Sequence, residues 1–151
     1  MKGKLARGVL GCYDLLLAVG AICNGLLMVS GKFWEGEPWP DVWIGRVPFQ
    51  SWFFPGVIAI VIYGVGNLIA AYYSFSKKEK GYIASGGMGG FFFLSLLASF
   101  VVLGEGYLAT FMFIILSVIQ VILTLCANKK YDVASVVVII ALATFIGIKI
   151  L

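Results

Sequence analysis

The chain has 151 residues, a net charge of +4 and no histidine, with 62% hydrophobic residues against 12% charged ones. A mean hydropathy of +1.04 excludes a soluble globular surface, and the basic residues fall in short groups between apolar runs, so they read as topology signals and not as a nucleic-acid footprint. Without histidine the chain lacks an imidazole ligand for haem or zinc, and the side chain best suited to proton transfer near neutral pH.

In chain order, the first twenty residues, MKGKLARGVLGCYDLLLAVG, begin with the positive charge of a signal peptide but offer no good small-x-small cleavage site. The first helix is therefore expected to be retained. A crossing helix needs about 20 apolar residues at about 1.5 Å each, and five stretches reach that length: 8–29, 55–75, 82–103, 107–127 and 132–150. The third and fourth form one nearly continuous apolar run, divided at Gly104-Glu105-Gly106 because two glycines around a charge suit a tight surface turn. The expected fold is an all-α integral membrane protein: a five-helix transmembrane bundle, or four helices with a peripheral last one, in a single domain.

Lysine and arginine set the expected orientation. One side receives Lys2, Lys4, Arg7, Lys77, Lys78, Lys80, Lys129 and Lys130; the other receives Lys32, Arg46 and Lys149. The positive-inside rule then puts the N-terminus in the cytoplasm and loop 30–54 outside, in a bacterial plasma membrane. Tyr72, Tyr73, Tyr82 and Tyr131 flank the basic loops, where interfacial aromatics belong.

Three polar residues fall within spans at similar depth: Asp14, Asn67 and Gln120. An ionised Asp14 near the bilayer centre would cost about 2.5 to 3.5 kcal/mol on insertion scales. Together they could form one buried layer, which reads either as interhelical hydrogen bonding or as a proton, ion or small-substrate site. The bonding reading is preferred, because a lone carboxylate without a second acid, a histidine or a basic partner makes a poor relay.

The third span opens with Ser85-Gly86-Gly87-Met88-Gly89-Gly90. Here Gly86 and Gly90 are spaced as GxxxG and Ser95 and Ser99 extend a small face, which predicts close helix packing within the chain or between copies. Cys12, Cys23 and Cys126 all fall within spans, so no disulfide is expected. Neither a catalytic constellation, a metal cluster nor a cofactor motif is read from the sequence.

Residues 33–56 hold all four tryptophans, all four prolines and three of the seven acidic residues. Trp34, Trp39, Trp43 and Trp52 suit the lipid headgroup region; with Asp41 and Arg46 they are also the candidate platform for a lipid-like ligand or a protein partner. Pro48 and Pro55 bracket Phe49–Phe54, which predicts a turn of interfacial helix. Pro48-Phe49-Gln50-Ser51-Trp52-Phe53-Phe54-Pro55-Gly56 resembles the entry to the second of four spans in a group of small bacterial membrane proteins. That resemblance covers about residues 1–127 and implies no particular activity; the fifth span departs from it.

The functional expectation is a non-enzymatic accessory or scaffolding subunit, with membrane lipids and a membrane-protein partner or a second copy as its contacts, and no nucleic acid. The alternative is an oligomeric transporter or channel using the Asp14, Asn67 and Gln120 layer.

Overall fold

The computed structural model describes residues 2–33, 38–76, 79–104 and 108–128. Among them the chain forms four long helices: α1 (Lys2–Val29), α2 (Phe53–Phe75), α3 (Lys80–Leu103) and α4 (Leu108–Ala127). Each is long and apolar enough to cross a membrane. The expected fifth span, 132–150, lies outside the described residues, as do Trp34 and the Glu105-Gly106 part of the expected turn.

Three helices begin earlier than the hydropathy suggests, α3 by two residues at Lys80. α1 starts at Lys2 because lysine, arginine and leucine are all good helix formers and the backbone ladder continues past the apolar run. α2 starts at Phe53, which places Pro55 in the first turn, where a missing N–H leaves no intrahelical bond unmade. The interfacial helix expected over Phe49–Phe54 does not form. Residues 48 and 50–52 are bends, Phe49 is irregular, and only Phe53 and Phe54 are helical, as the start of α2 itself.

α3 ends at Leu103. Gly104 follows with φ +69° and its N–H on the Phe100 carbonyl, the left-handed closure that glycine adopts without a Cβ clash.

The helices are packed up-down-up-down in a ring, α1 on α2, α2 on α3, α3 on α4 and α4 on α1. Antiparallel pairing is visible in the contacts: a Cβ on Gly11 of α1 would meet Phe75 of α2, and one on Gly25 would meet Ile60. Likewise Tyr63 of α2 stacks near Phe92 of α3, which in turn meets Phe113 of α4.

The bundle is polar or small inside and apolar outside. Among the described residues the buried hydrophobic ones include only one aromatic from the helices, Phe93, with Leu10, Leu17, Ala18, Ala70, Ala71 and Ala127, whereas Leu5 and Ile83 are 73% and 76% exposed. A bilayer solvates such an exterior; van der Waals packing and interhelical hydrogen bonds must then hold the interior together.

The closest backbone approach joins α1 to α2, where α2 widens into a π stretch over Ala59–Gly64. A Cβ at Gly25 would stand 2.5 Å from Ile60 Cγ1 and 2.7 Å from the Gly56 carbonyl; one at Gly56 would stand 2.7 Å from Met28 Cβ. Neither fits without moving a helix. We expect Gly25→Ala to lower bundle stability by about 1–3 kcal/mol, the usual cost of overpacking. Gly87→Ala meets open space and should leave stability unchanged or slightly raised, as thermal unfolding in nanodiscs would read.

Candidate functional site

The ring brings one buried polar face from each helix to a common interior. Helical periodicity puts Asn67 and Ser74 on one face of α2, Gly81, Ser85 and Gly89 on one face of α3, and Ser117, Gln120 and Thr124 on one face of α4. α1 supplies Asp14, flanked on the same face by Leu10, Leu17 and Ala18. Asp14, Ser85, Ser117 and Gln120 have no exposed surface, and Asn67, Ser74 and Thr124 are buried as well.

Asp14 is the hub. Ser85 Oγ donates to its Oδ1 at 2.6 Å, Gln120 Nε2 donates to the same oxygen at 2.8 Å, and Ser74 Oγ reaches Oδ2 at 3.3 Å. One carboxylate thus collects a donor from each of the other three helices. Gln120 uses its second N–H on Asn67 Oδ1 at 2.7 Å, and Asn67 Nδ2 donates to the Tyr63 carbonyl at 2.8 Å inside the π stretch. Thr124 Oγ1 donates to the Gln120 carbonyl at 2.8 Å and stands 3.3 Å from Ser85 Oγ. Beside the hub, Tyr13 OH donates to the Leu116 carbonyl at 2.8 Å and ties α1 to α4 a second time.

Asp14, Asn67 and Gln120 are therefore joined directly, and three hydroxyls join them that polar-residue counting by span leaves out. Ser74, Ser85 and Thr124 carried a readable signal: Ser74 is seven residues from Asn67 and Thr124 four from Gln120, each on the same helical face as its neighbour. Ser85 stands one turn before Gly89, whose missing Cβ lets the Gln120 side chain lie 3.3 Å from where a Cβ would be.

Of the GxxxG pair, Gly86 packs within the chain and Gly90 does not. Gly86 packs against Thr124 and Gly89 against Val121 and Gln120, while a Cβ on Gly90 would meet nothing within 4 Å. Gly90 is one residue, about 100°, past the face that meets α4. Ser95 and Ser99 donate to the Phe91 and Ser95 carbonyls of their own helix, and Ser95 also meets the Tyr63 side chain of α2.

At the other end of the bundle, Trp39, Trp43 and Trp52 form a mutual edge-to-face cluster with centroids 5.0 to 5.8 Å apart, and Phe33 lies 4.9 Å from Trp52. Asp41 opens the 3-10 turn Asp41–Trp43 and is exposed, whereas Trp43 is buried. Arg46 is exposed, and its guanidinium donates to the Leu103 carbonyl at the C-terminus of α3, where cations meet unpaired carbonyls. Between this cluster and the ends of α1 and α2 lies a groove of about 260 Å³, with Met28, Val29, Trp39, Trp52 and Phe53 as apolar walls and Gln50 and Ser51 as neutral polar ones.

No protein-family model matches the chain, and neither a curated protein nor a solved structure matches it.

Ser85 makes the shortest bond to Asp14, so Ser85→Ala should destabilise the bundle by about 1 kcal/mol, within the range up to about 1.7 kcal/mol seen for interhelical hydrogen bonds. Ser99→Ala removes only a bond within α3 and should cost nothing measurable in the same unfolding assay.

Proposed function

We propose that this chain is a non-enzymatic, multi-pass membrane protein that acts as an accessory or scaffolding subunit, and that its outer aromatic groove receives an apolar segment of a membrane-protein partner. The observation that supports the reading is the groove itself, placed where α1 ends and α2 begins and walled by Trp39, Trp52, Phe53, Met28 and Val29. Tryptophan anchors in desolvated pockets contribute disproportionately to interfaces, and the Arg46 contact with α3 holds their loop against the bundle. Among the described residues the lining carries no charged side chain, which favours an apolar partner over an anionic headgroup.

In this reading the groove faces the outside of a bacterial plasma membrane. The support is the lysine and arginine bias: the N-terminus of α1 and the α2–α3 connection share the basic end of the antiparallel bundle. The second reading, an oligomeric transporter or channel, draws on the π stretch at Ala59–Gly64, which receives the Asn67 side chain one turn before the polar layer.

Crosslinking the tagged chain in its native membrane and identifying what co-purifies separates the two. The scaffold reading expects one predominant membrane-protein partner, lost at least tenfold in Trp39→Ala/Trp52→Ala while the thermal midpoint of the bundle holds, and retained in Asp14→Asn. A chain that crosslinks only to itself would overturn it.

A further inference from the structure

α2 serves two sets of neighbours. Its inner half carries Asn67 and Ser74 into the ring, where they reach Gln120 of α4 and Asp14 of α1; its outer half sets Gly56 against α1 and Phe53 in the wall of the groove. Between the halves lies the π stretch Ala59–Gly64.

Three residues of α2 mark the line that faces α1. A Cβ on Gly56 would meet Met28, one on Gly64 would meet Ile22, and one on Gly11 of α1 would meet the Phe75 ring. Gly64 and Phe75 are eleven residues apart, which at about 100° per residue leaves them about 20° from the same line. Gly56 lies eight residues before Gly64 and nineteen before Phe75, so an unbroken α-helix would turn it about 80° to 100° off that line and onto the face of Asn67 and Ser74. The π stretch removes the mismatch. Its hydrogen bonds close over five residues in place of four, as that of the Val65 N–H to the Ile60 carbonyl does, so it absorbs one residue that adds no rotation. Discounting that residue brings Gly56 within about 20° of both Gly64 and Phe75.

The residue that an unbroken helix would present to α1 is Val57, eighteen before Phe75. The seam has no room for it: even a Cβ at Gly56 would stand 2.7 Å from Met28 Cβ and 2.8 Å from the Gly25 carbonyl. α1 and α2 would have to separate where Met28, Val29 and Phe53 line the groove.

We propose that the π stretch is a one-residue register device: it keeps Asn67 and Ser74 in the Asp14 hub while turning Gly56 to α1, and so positions Phe53 in the groove wall. It shapes the groove whatever occupies it, and it stands independently of the partner reading.

Two single-residue deletions in the full chain test this, each removing an exposed β-branched residue from α2. Deleting Val61 from the π stretch leaves an α-helix whose halves keep their present rotation. Deleting Ile69, between Asn67 and Ser74, turns those two residues apart by about 100°. In nanodiscs the Val61 deletion should hold the thermal midpoint within about 3 °C of the wild type, with tryptophan emission unchanged, and the Ile69 deletion should lower it by about 10 °C or more. Equal losses, failure of both chains to assemble included, overturn the proposal. So does a Val61 deletion that costs more than the Ile69 deletion, an Ile69 deletion without cost, or a Val61 deletion that keeps its midpoint but displaces the tryptophan emission, because the outer half has then turned.

Discussion

A carboxylate inside an apolar bundle must be solvated by the protein, and the rest of this structure follows from how Asp14 meets that demand. Its donors come from α2, α3 and α4, so the arrangement is satisfied only when all four helices stand in one order and one axial register. Sliding or rotating any helix by one residue would remove a donor from the carboxylate. In lipid there is no water to replace it. Each bond is modest in energy; what the hub supplies is the choice among bundle arrangements that apolar packing alone would leave nearly equivalent.

That role explains the reversed distribution of size and polarity. Most large apolar side chains face outward because lipid accepts them at no cost, and apart from Leu10, Leu17 and Phe93 the interior is built of alanine, glycine and polar residues that let backbones come close. The glycines that matter are those opposite a neighbouring backbone or a bulky side chain. Gly25 and Gly56 bring α1 against α2, Gly81 brings α3 against Ser74 of α2, and Gly89 makes room for Gln120. Close approach and hydrogen bonding are thus one design: the short side chains of Ser74 and Ser85 reach Asp14 only because the helices around them carry so little bulk.

The two ends of the bundle are organised differently. Around the polar hub the side chains are enclosed, while the end of the bundle where α1 finishes is built from a tryptophan cluster with a groove open beside it. Arg46 connects that cap to α3 through the Leu103 carbonyl, and Gly104 provides the left-handed turn that leaves this carbonyl accessible. The cap therefore rests on the helix termini.

The sequence by itself determined the helical class, the four membrane-length helices among the described residues to within a few positions, and the break at Gly104. These depend on local composition: a run of apolar residues has a length, and a glycine beside a charge ends it. It also determined which polar residues lay at matching depth, so Asp14, Asn67 and Gln120 could be grouped before their contacts were known. Only the tertiary structure decided which faces meet. The Ser74, Ser85 and Thr124 hydroxyls, the packing of Gly89 in place of Gly90, the engagement of Arg46 with α3 and the π stretch in α2 depend on helix rotation and on partners 39 to 106 residues away. Periodicity defines the faces of one helix, but the rotation at which four helices settle is set by their joint packing, which no single segment encodes.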